Sequence, residues 1–189
     1  MKRVYIERKS ALIAGTAILG AVVAVLDVSK VLKIPFPPMP ILKFDVIGIP
    51  MFLAYLFFGL LSGIFTCLVA FITISFRDPF SGFMKFLAEV ATIIGAYLIL
   101  RARSQDALHK SKMFAIISSV VLRVVVMAVG NVLLLPVFLP KLFTTQAVVI
   151  LLPSICLFNA IQGGISIAGG FLLYEAVVRR LPSLTETVK

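Results

Sequence analysis

Two ionisable side chains of opposite charge stand well inside consecutive apolar stretches of this 189-residue sequence. Glu89 lies within one such stretch, and Arg123 lies near the middle of the next. Burying either charge in hydrocarbon costs free energy, so both side chains should face a bundle interior or a cavity, where each can reach the other. Such a pair either fixes helix packing or contacts a ligand directly, and the residue types leave both roles open.

Three amide side chains form a second candidate set. Asn131 lies near the end of the stretch that contains Arg123, and Asn159 and Gln162 are spaced i, i+3 on one face of the last apolar segment. An amide both donates and accepts hydrogen bonds, which suits a neutral ligand with donor and acceptor edges. The competing interpretation is hydrogen bonding between helices, which is common in membrane bundles.

Motifs for catalysis and for nucleotide hydrolysis are absent from the sequence. It contains no G-x-x-x-x-G-K-[ST], D-D-x-x-D, H-E-x-x-H or G-x-S-x-G, so neither an ATPase nor a membrane hydrolase or prenyltransferase is expected. Cys67, Cys156 and the single histidine, His109, argue against disulfides and metal sites. We therefore expect a protein that is not an enzyme and uses no cofactor or metal.

The elements that must position these residues are membrane helices. Hydrophobic residues make up 61% of the chain, its mean hydropathy is +1.13 and only 14% of its residues are charged, unlike an ordinary soluble domain. The net charge of +10 lies in short connections, as membrane topology requires, so nucleic acid is not an expected partner. Apolar stretches cover roughly 10–29, 46–76, 82–100, 113–135 and 148–178.

The stretch 46–76 decides the topology, because it is longer than the roughly 20 residues that one span needs. As a single helix it would place ten lysines and arginines on one side of the membrane and seven on the other. As two short helices with a turn near 59–63, it gives eleven against six, which the positive-inside rule favours. We predict an all-α integral membrane protein with one domain over 1–189, six transmembrane helices, the second and third short, and both termini in the cytoplasm.

The first helix carries a stripe of small residues at spacings of four and three. Small residues let another helix approach closely, where van der Waals contact drives association in lipid. The stripe is therefore either packed within the chain or offered to another subunit. It consists of Ser10, Ala14, Ala17, Ala21 and Ala24.

A proline-rich segment, 33–45, precedes the first short helix and ends in Lys43, Phe44 and Asp45. A stiff outer loop of this kind can cover a ligand pocket. From the segment alone, a simple connection is the favoured interpretation.

A series of short motifs runs along most of the chain. It starts with Leu42-Lys43-Phe44-Asp45-x-x-x-Ile49-Pro50 and Phe58-Gly59-x-x-x-Gly63. It continues at Asn131 with Leu-Leu-Leu-Pro136, and it ends with Phe158-Asn159-x-x-Gln162-Gly163 and Phe171-Leu-Leu-Tyr174. In this order the motifs resemble those of the S components of energy-coupling factor (ECF) transporters, and the riboflavin-specific branch is the most similar.

The resemblance implies a high-affinity riboflavin-binding subunit in the plasma membrane, which pairs with a transmembrane coupling subunit and two ATPase subunits and topples in the bilayer to carry the vitamin inward. It places Asn131 and Asn159 at flavin-contacting positions, whereas Gln162 stands where the family often has lysine. It also likens the small-residue stripe to the surface that meets the coupling subunit. The alternatives are another vitamin or nucleobase-like ligand, or a stand-alone carrier that uses Glu89 and Arg123.

Overall fold

The computed structural model describes residues 9–30, 33–102 and 108–180, and in this part of the chain it contains six helices and one β-hairpin. The helices are α1 (Lys9–Ser29), α2 (Gly48–Phe58), α3 (Leu60–Ser75), α4 (Pro79–Ala102), α5 (Leu108–Phe138) and α6 (Thr145–Arg180). The four long ones are apolar enough to cross a bilayer. The six-helix prediction, with a short second and third helix, is confirmed.

The predicted division of 46–76 occurs at one residue, Gly59. Its φ of 92° is a left-handed backbone conformation that glycine adopts without strain, and α3 begins at the next residue. The two helices then pack closely, since a Cβ on Gly63 would lie 2.8 Å from the Cβ of Tyr55. With 11 residues, α2 is only about 16 Å long, too short to span the bilayer core, but nearly all of it is buried among the other helices.

The proline-rich segment is more ordered than the simple connection we expected. It folds into an antiparallel hairpin of β1 (Ile34–Phe36) and β2 (Met39–Phe44), in which Ile34 faces Phe44. The ring centroid of Phe158, on α6, lies 4.9 Å from that of Phe44 and 5.7 Å from that of Phe36, so apolar contacts attach the hairpin to the bundle. Among the residues that the structure describes, the hairpin is the one addition to the all-helical prediction.

The hairpin lies over one end of the bundle. Helix α4 packs on both α3 and α5, and α6 packs on α5 and α2. The apolar core around α2 fills the other part of the bundle, with Phe52 and Tyr55 fully buried. Space therefore remains between the core and the hairpin, where the buried polar side chains collect.

Candidate functional site

A cavity of about 600 Å³ lies beneath the hairpin. Its walls come from the ends of α1 and α3, the first half of α4, the second half of α5 and the first half of α6. The volume falls within the roughly 300–1,000 Å³ typical of small-molecule sites. Its apolar lining includes Met39, Ile47, Met84, Met127, Leu135 and Phe158, and its polar lining includes Asp45, Lys85, Arg123, Asn131, Asn159 and Gln162.

The structure brings Glu89 and Arg123 together at the inner end of this cavity. Arg123 Nη1 lies 3.0 Å from Glu89 Oε1 and donates a second hydrogen bond, of 3.1 Å, to the hydroxyl of Thr92. All three residues are buried. Because Arg123 also lines the cavity, the geometry is compatible with both roles considered from the sequence, which are helix packing and contact with a ligand.

Lys85 completes this network, although the sequence pattern alone did not mark it as a site residue. Its Nζ lies 3.0 Å from Glu89 Oε1, one helical turn away, and 2.8 Å and 3.0 Å from the two carboxylate oxygens of Asp45. The i, i+4 spacing of Lys85 and Glu89 at the start of an apolar stretch was the available signal. Two carboxylates and two cations therefore meet here, and the inner end of the cavity, its floor, carries no net charge.

Gln162 fastens the end of the hairpin to α6. Its Nε2 donates to the backbone oxygen of Asp45 at 2.8 Å, and its Oε1 accepts from the backbone N–H of Asp45 at 3.1 Å. A lysine at this position has no acceptor and cannot make the second bond. Gln162 thus satisfies both backbone groups of the residue that joins the hairpin to α2.

The two asparagines line the cavity from neighbouring helices. Asn159 Nδ2 donates to the carbonyl of Ile155 at 2.9 Å, and its Oδ1 accepts a long bond of 3.4 Å from Arg123 Nε. Asn131 Nδ2 donates to the carbonyl of Met127 at 2.6 Å. These bonds within each helix fix the orientation of both amides at the cavity wall.

Lys43 and Phe44 differ in their placement, although they are adjacent in β2. Lys43 is exposed and lines the cavity, whereas Phe44 packs with Phe36 and Phe158 in the aromatic cluster. The expected ligand-binding set thus gathers around one cavity, with Phe44 in a supporting position and Glu89 bonded to the lining residues Lys85 and Arg123.

A second ionic cluster, which the sequence did not predict, stands at the outer edge of the cavity. Asp27 of α1 has a side-chain exposure of 0%, and its two oxygens lie 2.8 Å from Lys33 Nζ and 2.5 Å from Arg77 Nη2. These contacts connect the end of α1 to the start of the hairpin and to the end of α3. Asp27 and Arg77 are 50 positions apart, so no local pattern relates these two residues.

Comparison with known proteins identifies the architecture. The sequence model of the family described as "ECF transporter, substrate-specific component" matches residues 12–174, which is most of the chain. The chain belongs to this family. A solved S component of a bacterial ECF transporter superposes with a TM-score of 0.72 at 26% identity, covering 92% of this chain and 99% of that one. Among proteins of curated function, the search found no match.

As an S component, the protein is a multi-pass membrane subunit of a transporter, not an enzyme, and its family implies association with the membrane and ATPase modules of an ECF transporter. In the described residues, no group of three or more His, Cys, Asp or Glu is arranged to hold a metal ion. The small-residue stripe of this S component points largely outward. Four of its residues are exposed and Ala24 is half-buried; the exposed ones are Ser10, Ala14, Ala17 and Ala21.

Proposed function

We propose that this S component captures riboflavin in the cavity beneath the hairpin and delivers it to an ATP-driven importer. The observation that carries the proposal is a cavity of about 600 Å³ whose wall carries two fixed amides and whose inner end carries a charge-balanced polar network. The sequence resemblance to the riboflavin-specific branch supports the same ligand.

The chemistry of the lining suits a flavin. The pyrimidine edge of the ring system alternates acceptors with a donor, and the ribityl chain carries hydroxyls, so amides can serve both without burying a net charge. Asn131 and Asn159 are held at the wall of the cavity, and Phe158 lines it beside them with an aromatic ring. The neutral inner end matches an uncharged ring system, which would not compensate a buried charge.

The hairpin supports capture because it forms one wall of the cavity and is held at both ends. Lys33, at its start, binds Asp27, and Asp45, at its end, binds Lys85 and Gln162. Breaking either attachment would open the cavity without unfolding the helices. We propose that the hairpin moves to admit the ligand and closes over it.

The outward-facing stripe supports docking on the coupling subunit, with two ATPase subunits providing the energy. None of Ala14, Ala17 and Ala21 is buried among the other described helices, so this face remains accessible to a partner helix in the bilayer. The competing interpretation was that the stripe packs against other helices of the same chain, but none of these three alanines is buried by such packing.

Quenching of flavin fluorescence by the purified protein tests the ligand. Asn131→Ala and Asn159→Ala should each weaken binding by about one to two decades, because an unpaired buried polar atom costs about 1–3 kcal/mol. Gln146→Ala, an exposed amide on α6, is the matched control and should leave the affinity unchanged.

Two results would contradict the proposal. Protein that does not quench added riboflavin cannot be a riboflavin-binding subunit, and wild-type affinity in both asparagine variants would reassign these amides to helix packing. Uptake into vesicles without ATPase subunits would instead support the stand-alone carrier.

A further inference from the structure

The guanidinium of Arg123 is held by the protein through its Nε and Nη1 atoms. Nε donates a long bond of 3.4 Å to Asn159 Oδ1, and Nη1 donates to Glu89 Oε1 at 3.0 Å and to the Thr92 hydroxyl at 3.1 Å. Because the guanidinium is planar and rigid, these bonds also fix the direction of its remaining nitrogen, Nη2. Nη2 forms no hydrogen bond with the residues that the structure describes. Arg123 lines the cavity, so Nη2 is the donor that remains for a molecule inside it.

Glu89 and Thr92 lie behind Arg123 and are enclosed. Both are buried, and neither belongs to the described residues that line the cavity. Glu89 Oε1 lies 3.0 Å from Lys85 Nζ as well as 3.0 Å from Arg123 Nη1. A Cβ on Gly48 would lie 2.7 Å from Glu89 Oε2, so the start of α2 covers the second oxygen. Glu89 and Thr92 therefore hold Arg123 without reaching the cavity themselves.

A glycine on α6 leaves room for the stem of the Arg123 side chain. A Cβ on Gly163 would lie 2.9 Å from Arg123 Cδ, well inside the roughly 3.5–4.0 Å at which two carbon atoms pack. The next residue differs, because a Cβ on Gly164 would have no atom within 4 Å. The path of the Arg123 side chain therefore depends on the glycine at 163 and not on its neighbour.

We infer that Arg123 binds the ligand through Nη2, which donates a hydrogen bond to a neutral acceptor such as a ring carbonyl. Gly163, Glu89 and Thr92 aim this nitrogen and are therefore positioning residues. This inference rests on the proposed function in one respect, namely that the cavity is the ligand site. A guanidinium has donors and no acceptor, so the acceptor must come from the ligand. The charges at the floor already balance, so a carboxylate or phosphate placed there would remain uncompensated.

Two adjacent glycines provide a matched test in nanodiscs. Gly163→Ala should weaken riboflavin binding roughly tenfold, because displacing Arg123 loses a hydrogen bond from a charged donor. The melting temperature should change little, because the higher helix propensity of alanine opposes the cost of moving a flexible side chain. Gly164→Ala, the same change at the neighbouring position, should leave the affinity unchanged.

A pair of buried threonines tests the positioning role separately. Thr92→Val keeps the shape of the side chain but removes one acceptor of Arg123 Nη1, and it should weaken riboflavin binding roughly three- to fivefold. Thr66→Val is the control, because the Thr66 hydroxyl is also buried but bonds within its own helix, to the carbonyl of Gly63 at 2.7 Å. Thr66 lies outside the cavity lining, so its variant should keep the wild-type affinity.

Ligand analogues identify the acceptor. In 2-thioriboflavin and 4-thioriboflavin, sulfur, a weaker acceptor, replaces one ring carbonyl oxygen. One of the two should bind the wild-type protein several-fold more weakly than riboflavin does. This loss should largely disappear in Gly163→Ala, where the hydrogen bond is already broken. If Arg123 only fixed helix packing, the effects of the variant and of the analogue would be independent.

The results separate this inference from the riboflavin proposal. Wild-type riboflavin affinity in Gly163→Ala, or equal losses in Gly163→Ala and Gly164→Ala, would overturn the inference and leave the proposed function standing. If riboflavin does not bind, thermal stabilisation by thymine and by pyridoxine becomes the readout. Stabilisation that is lost in Gly163→Ala and kept in Gly164→Ala supports the inference without riboflavin, and no such difference overturns it. If Gly163→Ala does not fold, the comparison of Thr92→Val with Thr66→Val gives the answer by the same criteria.

Discussion

Replacement of Gln162 by leucine should release the end of the hairpin from the bundle. The glutamine side chain makes two hydrogen bonds to the backbone of Asp45, at 2.8 Å and 3.1 Å, and its burial excludes water from replacing them. Leucine has a similar size but no polar atoms, so the packing is largely kept while both bonds are lost. The change therefore isolates the contribution of the amide.

The magnitude follows from the two bonds. Each neutral hydrogen bond contributes about 1 kcal/mol net, so the pair stabilises the closed hairpin by about 2 kcal/mol, which is roughly a 30-fold change in the opening equilibrium. The third contact, 3.4 Å from Gln162 Nε2 to Asp45 Oδ1, is too long to add much. Lys85 still binds the Asp45 carboxylate, so the hairpin opens more often but is not lost.

Hydrogen–deuterium exchange in nanodiscs measures the opening of the hairpin directly, because the backbone N–H of Asp45 donates the hydrogen bond to Gln162. A peptide covering 42–47 should exchange roughly 30-fold faster in Gln162→Leu, and the ligand should dissociate faster by a similar factor. Gln146→Leu, the same change at an exposed position of α6, should behave as wild type. Exchange within about twofold of wild type in Gln162→Leu would refute the attachment.

Three further predictions concern the floor, the topology and the stripe. Lys85→Met should destabilise the protein by about 3 kcal/mol, because it removes the cation that pairs with Asp45 and leaves Glu89 with Arg123 alone. The melting temperature should fall and should be partly restored by adding Asp45→Asn, and no change in either variant would contradict the role of Lys85. In a cysteine-free background, a single cysteine at Leu61 or Lys110 should react with impermeant maleimide only from the cytoplasmic side. A cysteine at Lys141 should react only from outside. Labelling of Lys110 from outside would overturn the proposed orientation. Ala17→Phe should leave riboflavin binding intact but impair ATP-driven uptake, because close helix contact excludes a large side chain. Val125→Phe on the exposed side of α5 is its control, and uptake that survives Ala17→Phe would exclude the stripe as the docking face.

Composition and the order of polar residues along the chain were enough to predict the main architecture. Charge asymmetry required 46–76 to be two helices, and the division falls at Gly59, within the predicted turn. The cost of burying charge in lipid likewise required Glu89 and Arg123 to find partners, and they find each other. Both predictions rest on solvent preference, which each residue carries independently of the fold.

The contacts that build the cavity were decided only by the tertiary structure. Asp45 and Gln162 are separated by 117 positions, and Asp27 and Arg77 by 50, so no local pattern relates them. In the sequence, Lys85 resembles the lysines near the ends of spans that orient membrane helices. Only the folded hairpin places Asp45 beside it. The hairpin itself depends on Phe158, a ring on the last helix, which the sequence presents as one apolar residue among many. The polarity of each residue determines whether its side chain is buried. The partner that a buried side chain contacts depends on how the helices are rotated and aligned, which is set by the packing of the whole bundle.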